Sequence, residues 1–468
     1  MKKQLVIALL AFSIGAQAQN MDWVSTTQSE SWKIEKKVLS KKQEGSYTKV
    51  DVFTDKTLQQ MNGFGGCFNE LGWEAIKLLS PIEQEKLCKE LFSPEGANFC
   101  YNRFPMGASD YASSFYSFNE TVDDFKMTNF SIARDKNCLI PYIKEAQRYN
   151  PDMRFFASPW CPPSWMKTNG HYASRSSEKY NNLPQEQQSL PHTTGFKMLS
   201  GYLEAYALYF SKFLDAYKAE GIDVKDIHVQ NEVVAEQIFP SCIWEPQDIA
   251  LFIAEYLGPR FQSEKRDVNI WLSTLNIGDP EYVRTAMKNK KAVTYIKGLG
   301  FQWDGKNGIG TIHKEFPELR LMQTENECGG GENNWNSALY TWSLMKQYLK
   351  NGAEAYIYWN FVLQTPGISN WGWVQNSMVT IHAESKTVVY NPEYYLMKHF
   401  SHFVQRGAYR LQTQGIDDVL AFKNVDGSIV IVAVNTQDHE QNILLNVAEK
   451  EMKVTLKANS LNTFRLKS

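Results

Sequence analysis

Residues 199–232 read LSGYLEAYALYFSKFLDAYKAEGIDVKDIHVQNE, which is one helix followed by one strand. Apolar side chains recur at spacings of three and four from Leu199 to Tyr217, a pattern typical of one buried helix face. Gly221 is the expected C-terminal stop of this helix. The buried strand at residues 227–229 then runs directly into Gln-Asn-Glu, so a carboxylate, Glu232, follows the end of a strand.

The same alternation of helix and strand extends over residues 56–400. A second helix is predicted to begin near Pro246 and to end at Leu257-Gly258-Pro259, and strands are predicted at 269–273 and 355–361. Repeated units of this kind predict an α/β protein with a (β/α)8 TIM barrel. The rival is a doubly wound open sheet, but the sequence contains neither GxGxxG nor GxxxxGK[ST] to indicate a nucleotide site on such a sheet.

Both chain ends read as short strands. The C-terminal segments are 419–424, 428–435, 442–447, 452–458 and 461–466, and the N-terminal segments are 32–38 and 47–53. We expect them to meet in one antiparallel β-sandwich beside the barrel. The predicted domains are therefore 19–55 and 401–468 for the sandwich and 56–400 for the barrel.

The first residues are typical of a secretory signal peptide covering residues 1–18. Lys2 and Lys3 precede an apolar run at 5–16, and Ala16-Gln17-Ala18 fits a cleavage site. We expect a secreted or periplasmic protein after cleavage near Ala18. No other apolar run reaches the length of a membrane span.

Composition excludes several classes of partner and cofactor. The formal net charge is −2 and the basic residues are scattered, so no nucleic-acid surface is expected. The eight His do not cluster and HExxH is absent, so neither a metal nor another cofactor is expected. The seven Cys are predicted to be mostly free buried thiols, with at most one or two disulfides. An aromatic content of 13% suits stacking on sugar rings, although large α/β cores also hold many aromatic residues.

Two carboxylates end short apolar runs, Glu232 and Glu325. Chemistry in a (β/α)8 barrel lies at the C-terminal ends of the strands, and cleavage of a glycosidic bond requires two carboxyl groups. One strand-end glutamate alone is more often solvated or a helix cap, but a pair with Asn231 directly before one member favours a catalytic site. Glu327 shares a strand face with Glu325 and is an alternative to it.

Several ordered segments resemble glycoside hydrolase family 30, the group that includes lysosomal glucosylceramidase and bacterial β-1,6-glucanases. The most specific is SPWCPPSWMKTN at 158–169. The others are GFGGCF at 63–68, RFPMG at 103–107 with SDY at 109–111, QNE at 230–232, TENE at 324–327, YWN at 358–360 and NW at 370–371.

The resemblance implies a retaining β-glycosidase in which Glu232 is the acid/base and Glu325 the nucleophile, held ionised by Arg103. The expected substrate is a carbohydrate, a β-linked gluco-configured glycoside or glucan. A β-xylosidase, a β-fucosidase or an inactive carbohydrate-binding homologue are the alternatives. The resemblance further implies a set of sugar-binding residues: Asp110, Trp160, Asn231, Trp303, Asp304, Trp359, Asn370, Trp371 and Asn376.

Two departures from the family pattern affect the predicted site. Val233 follows Glu232 where the family usually has Pro. The sixth strand ends Gln302-Trp303-Asp304 where relatives often read His-Trp-Tyr, so the tyrosine that often touches the nucleophile is missing. Asp304 in its place is expected to raise the pKa of the nucleophile or to bind a different sugar hydroxyl.

Overall fold

The computed structural model describes residues 21–35, 46–448 and 450–467. The predicted signal peptide at 1–18 and the end of the predicted strand at 32–38 lie outside the described residues. The strands in chain order are β1 (Met21–Thr27), β2 (Lys33–Ile34), β3 (Thr48–Gln60), β4 (Gly63–Cys67), β5 (Tyr101–Pro105), β6 (Arg154–Ser158), β7 (Val224–His228), β8 (Asn269–Leu275), β9 (Ile296–Gln302), β10 (Arg320–Glu325), β11 (Ala355–Asn360), β12 (Val362–Gln364), β13 (Val379–Ile381), β14 (Val388–Tyr390), β15 (Tyr409–Gln414), β16 (Val419–Lys423), β17 (Ile429–Asn435), β18 (Gln441–Val447), β19 (Lys450–Leu456) and β20 (Ser460–Leu466).

Strands β4 to β11 form an eight-stranded sheet in the order β10-β9-β8-β7-β6-β5-β4-β11. All of its pairs are parallel. The sheet closes between β10 and β11, where Leu321 bridges to Ala353 and the Glu354 N–H donates to the Leu321 carbonyl across 2.8 Å. The predicted (β/α)8 barrel is confirmed. Its interior is filled by a cluster of large side chains from several strands, which includes Tyr101, Phe156, Trp271 and Met322.

The helices connect these strands around the barrel. They are α1 (Glu70–Ile76), α2 (Pro81–Phe92), α3 (Leu139–Gln147), α4 (Ser200–Ala219), α5 (Pro246–Phe252), α6 (Gly258–Ser263), α7 (Glu281–Met287), α8 (Lys290–Tyr295), α9 (Ile309–Glu315), α10 (Trp335–Lys350) and α11 (Pro392–Ser401), with short 3-10 helices at Asp135–Asn137, Ser164–Met166, Gln185–Gln187 and Trp303–Asn307.

The prediction that Leu257-Gly258-Pro259 ends the helix begun at Pro246 is wrong. A π-helical turn at Ile253–Leu257 joins α5 to α6, and Gly258 and Pro259 continue the helix. Pro259 lies inside this continuous helix, so its missing N–H removes one helical hydrogen bond, and the regular helical spacing changes at the π turn directly before it. Gly258 is required here because a Cβ would lie 2.4 Å from the Tyr295 ring.

The chain ends form one nine-stranded sheet in the order β19-β18-β3-β15-β16-β17-β20-β1-β2. Its strands come from both termini, as predicted, and the sheet is antiparallel except for the parallel pair β3–β18. The predicted N-terminal segments missed β1, which pairs with β20 along its whole length. Strand β3 runs to Gln60, beyond the predicted boundary at residue 55.

The sheet packs against the barrel through buried polar contacts as well as apolar ones. His399 of α11 lies between the hydroxyl groups of Thr463 on β20 and Thr26 on β1, at 2.8 and 3.0 Å. All seven cysteines are free thiols. Within the described residues, none of the helices combines the length and the apolar character that a membrane crossing requires.

Candidate active site

Four barrel strands bring polar side chains to one point at their C-terminal ends. Arg103 lies in β5, Glu325 ends β10, and the segments after β7 and β9 supply Glu232 and Trp303. In a parallel barrel these ends share one face, so residues far apart in sequence become neighbours. The polar residues that end the predicted strands therefore gather at this face.

Arg103 is fully buried and lies at the centre of this group. Its Nη1 donates to Oε2 of Glu325 at 2.9 Å, and its Nη2 donates to Oδ1 of Asn231 at 2.6 Å and to the Ser158 hydroxyl at 2.8 Å. Burial of a guanidinium is tolerated when its donors are hydrogen-bonded; here both Nη groups are, whereas Nε has no partner among the described residues. Arg103 therefore fixes Glu325 and Asn231 relative to each other.

Both carboxylate oxygens of Glu325 are engaged. Oε2 accepts from Arg103, and Oε1 accepts from the indole N–H of Trp303 at 3.0 Å. Trp303 adopts a left-handed backbone conformation with φ of 48°, which is strained for a bulky residue and directs its side chain toward Glu325. Two N–H donors stabilise the ionised carboxylate.

Glu232 also has a left-handed backbone, with φ of 52°. Its N–H donates to the carbonyl of Thr274 at 3.1 Å and lies 3.2 Å from the hydroxyl of the same residue, so β8 holds the strained turn in place. The next residue, Val233, is fully buried, and its backbone carbonyl accepts a hydrogen bond from the backbone N–H of Trp244. Backbone strain of this kind is found mostly at functional sites, because the surrounding structure must stabilise it.

Gln302 connects the two carboxylates. Its Nε2 donates to Oε1 of Glu232 at 3.2 Å, and its Oε1 accepts from Arg103 Nη1 at 3.3 Å and from the Thr324 hydroxyl at 2.8 Å. Glu232 and Glu325 are thus the two ends of one continuous hydrogen-bonded chain through Gln302 and Arg103.

The environments of the two carboxylates differ. Burial, followed by the nearby charge of Glu325, raises the pKa of Glu232 to about 8. Burial also raises the pKa of Glu325, but the charge of Arg103 and hydrogen bonds from Trp303 and Arg103 oppose that rise. When the pair holds one proton, the proton resides on Glu232, because only Glu325 has a cation bonded to it.

The two glutamates face one cavity of about 280 Å³. Asp110 contributes a third carboxyl group to its wall, and Oδ1 of Asp110 has no hydrogen-bond partner among the described residues. Burial raises the pKa of Asp110 well above its ordinary value. The remaining wall is polar and aromatic: Asn231, Gln237, Phe239, Asn276, Trp303, Gly329, Trp373 and Gln375. A carboxylate pair beside aromatic rings and amide groups is suited to a sugar ring.

The comparison with known families agrees with this geometry. The model of the glycosyl hydrolase family 30 TIM-barrel domain matches residues 61–404, and that of the family's beta sandwich domain matches residues 407–464. The chain belongs to glycosyl hydrolase family 30. It is therefore a glycoside hydrolase, and the resemblance inferred from the sequence motifs is confirmed.

Similar proteins span most of this family 30 chain. It is 28% identical over 415 residues to the lysosomal acid glucosylceramidase of Mus musculus, covering 82% of this chain and 77% of that protein. It is 27% identical over 410 residues to endo-1,6-beta-D-glucanase neg1 of Aspergillus fumigatus, covering 83% and 80%. The solved structure of SrfJ from Salmonella typhimurium has the same fold, with a TM-score of 0.84 and 24% identity over 96% of this chain and 99% of that one.

In this family 30 barrel, Glu327 does not face the cavity. Its carboxylate pairs with Lys306 Nζ at 2.7 Å and accepts a hydrogen bond from the Tyr340 hydroxyl at 2.6 Å. The β10 strand ends at Glu325, so the alternation that would place both glutamates on one face does not continue to Glu327.

Trp160 and Trp359, both predicted sugar contacts, are almost fully buried. Their rings stack with centroids 5.2 Å apart, and the Arg103 guanidinium lies 4.5 Å from the Trp160 ring. Neither ring is among the described residues that line the cavity. The structure places both tryptophans beside Arg103, where their π faces stabilise its charge.

Four other predicted contacts do not reach the cavity wall within the described residues. Asp304 turns away from Glu325 and accepts from the Gly278 N–H at 2.7 Å, because the 3-10 helix at Trp303–Asn307 rotates successive side chains apart. Asn370 donates to the Ala112 carbonyl, and Trp371 packs on Phe115.

Asn376 is also buried, and it organises a loop. Its Oδ1 accepts from the Gly331 N–H at 2.8 Å, and its Nδ2 donates to Glu393 at 2.8 Å. These contacts hold the loop that includes Gly329, which lines the cavity. Asn376 is thus placed one layer behind the site.

Several residues of the site are absent from the predicted set. Gln302 is the last residue of β9, directly before Trp303. Because catalytic residues of a barrel lie at the C-terminal ends of its strands, this position could have been predicted from the sequence. Phe239 and Gln237 lie in the long loop after β7, and Trp373 lies in the loop after β12, with no local pattern that marks them. Such loop residues reach the cavity only through the path of the whole loop.

Proposed function

We propose that the protein is a retaining β-glycosidase that cleaves β-linked gluco-configured glycosides or glucans by double displacement. The observation that carries the proposal is the asymmetric pair Glu232 and Glu325. Both face one cavity and are joined through Gln302 and Arg103, but within the part of the chain that the structure describes a cation is bonded to Glu325 and none to Glu232. A double displacement needs one protonated and one ionised carboxyl group.

Glu325 is the proposed nucleophile. Arg103 and Trp303 orient its carboxylate and keep it ionised, so an oxygen can attack the anomeric carbon. Attack breaks the bond to the leaving oxygen and forms a glycosyl ester with Glu325.

Glu232 is the proposed general acid and then general base. Its raised pKa keeps the proton at neutral pH, and this proton passes to the leaving oxygen. Once Glu325 is esterified its negative charge is lost, so the pKa of Glu232 falls. Glu232 then removes a proton from water, the water oxygen attacks the anomeric carbon, and Glu325 is released.

The substrate class rests on the family and on the wall chemistry. The relatives named above act, by their names, on glucosylceramide and on β-1,6-glucan, both β-linked glucosides. Asp110, whose Oδ1 has no hydrogen-bond partner among the described residues and whose pKa is raised, is a candidate partner for a sugar hydroxyl. The proposed location is outside the cytoplasm, supported by the signal-peptide pattern at 1–18.

The test is a panel of aryl β-glycosides with glucose, xylose, fucose and galactose, beside β-1,6-glucan and glucosylceramide. We expect the β-glucoside or one of the two natural glucosides to be the best substrate, and proton NMR to show β product first. Early α product would exclude the retaining mechanism. Mass spectrometry of the exported chain tests the cleavage near Ala18.

A further inference from the structure

A second cavity, of about 460 Å³, lies at the opposite end of the barrel from the active site. Arg320, which begins β10, lines this cavity, whereas Glu325, which ends β10, lies in the active site. The wall also includes residues of the terminal sheet, so the cavity occupies the junction between the two domains. Its charged and polar wall residues include Gln59, His313, Lys350, Glu354 and Arg410.

Arg410 enters this cavity from the sheet. It lies on β15, opposite an irregularity in the pairing with β3, and only 9% of its surface is exposed. Its Nε donates to Oε1 of Gln59 at 3.1 Å. The Gln59 amide nitrogen donates to the Leu349 and Ala353 carbonyls at 2.5 and 3.1 Å, which fixes its oxygen toward the arginine. Arg410 is therefore held in place from one side only, by a neutral group.

The other cations of the wall have acidic partners. Arg320 pairs with Glu354 at 2.5 Å, and Lys350 pairs with Asp417. Arg410 has no carboxylate within 4.0 Å among the described residues, and neither of its Nη groups forms a hydrogen bond there. His313 adds a buried Nδ1 that also lacks a partner in that part of the chain. Nitrogen atoms without a protein partner among the described residues, from Arg410 and His313, thus belong to two residues that line the same cavity.

A buried charge without a counter-ion is costly, and proteins almost always pair it. Burial lowers the pKa of Arg410 to about 10, which leaves the guanidinium charged at neutral pH. Glu318, on the rim, is exposed and forms no ion pair among the described residues. The missing counter-charge is thus best explained by a ligand from solution.

We propose that this junction cavity binds a small oxyanion, such as inorganic phosphate, on the Nη groups of Arg410. A planar guanidinium matches the geometry of phosphate and carboxylate oxygens in a two-point contact. The cavity has room for the ion and several waters, since one water occupies about 30 Å³. The bound anion would stabilise the contact between β15 of the sheet and the base of the barrel.

The experiment is calorimetric titration of the whole protein with inorganic phosphate, with ionic strength held constant by chloride. We expect one phosphate per chain and at least tenfold weaker binding by Arg410→Gln. The matched control is Arg465→Gln, because Arg465 lies on the same sheet but pairs with Asp426. Arg465→Gln should bind as the wild type does, and Arg410→Gln should keep wild-type hydrolytic activity. Parallel titrations with sulfate and acetate show whether the site prefers phosphate-like or carboxylate ligands.

Two outcomes would overturn the proposal. The first is no binding of any of the three anions by the wild type, and the second is equal binding by Arg410→Gln. If the wild type binds none of them and Glu318→Gln binds phosphate, Glu318 serves as the internal counter-ion and the proposal fails. If Arg410→Gln does not fold, Arg410→Lys replaces it in the test. This variant keeps the charge but loses the planar guanidinium, so its affinity for phosphate should also fall.

Discussion

Arg103 and Glu325 form an ion pair of 2.9 Å in which the arginine side chain is fully buried and the glutamate side chain is 7% exposed. The guanidinium also holds Asn231 and lies beside the Trp160 ring, so the pair anchors most of the active site.

Glu232→Gln and Glu325→Gln should each lower kcat by about 10³-fold or more, because a group that reacts directly has no substitute. Steady-state hydrolysis of an aryl β-glucoside measures this effect, and circular dichroism checks the fold. Glu327→Gln is the matched control, since Glu327 pairs with Lys306 away from the cavity. Wild-type turnover by Glu325→Gln together with loss of turnover in Glu327→Gln would reverse the assignment.

Arg103→Met should destabilise the protein by about 3–5 kcal/mol, because it leaves Glu325 buried without its cation. Arg103→Lys should keep the charge but not the contacts to Ser158 and Asn231. In Arg103→Met the pKa of Glu325 should rise, so the acidic limb of the kcat/KM profile should move to higher pH; Arg103→Lys, which keeps the charge, should move it less. Urea unfolding and pH–rate profiles measure the two effects, and an unmoved acidic limb would contradict the ion-pair role.

The alkaline limb of kcat/KM should show an apparent pKa near 8, because activity requires the protonated form of Glu232. Gln302 donates to Glu232 and so lowers its pKa. Gln302→Leu should therefore move the alkaline limb to higher pH, in addition to lowering kcat. A shift to lower pH in Gln302→Leu would show that another group governs this limb.

Trp303→Phe should lower kcat by roughly 10- to 100-fold, since a hydrogen bond to a charged group contributes about 1.5–3 kcal/mol. The acidic limb of the kcat/KM profile should again move to higher pH, because Glu325 loses one hydrogen-bond donor and its pKa rises. Trp373→Phe is the control, as Trp373 lines the same cavity without a hydrogen bond to either glutamate. Equal loss in both variants would indicate stacking on the substrate instead of hydrogen bonding.

Glu232→Gln should raise stability at pH 8. The pKa of Glu232 rises on folding from 4.5 to about 8, so folding favours the protonated carboxyl group. The contribution of this group to the free energy of unfolding is therefore complete below pH 4.5 and is lost as the pH rises toward 8. The amide cannot ionise and avoids this loss, which we expect to be about 1–3 kcal/mol, because local relaxation offsets part of the cost of a buried charge. Thermal unfolding at pH 4.5 and 8 measures the difference; an identical Tm for the two proteins at both pH values would count against the shifted pKa.

The barrel, the sheet from both termini, and the strand ends that carry Arg103, Glu232 and Glu325 could all be predicted from the amino-acid sequence. Periodic apolar side chains and strand-end polar residues are local patterns, and a parallel barrel brings all its strand ends to one face. The motif at 158–169 indicated the family, because a continuous segment can be recognised without knowledge of the fold.

Folding of the chain separated Glu325 from Glu327, turned Asp304 toward Gly278 and placed Gln302 between the two carboxylates. These positions depend on the direction of side chains after a strand ends, where successive side chains no longer alternate between two faces. They also depend on loops such as the one that carries Phe239, whose path is set by packing against distant segments. A side chain's ionisation is decided by the same neighbours, so the asymmetry between Glu232 and Glu325 is a property of the folded chain.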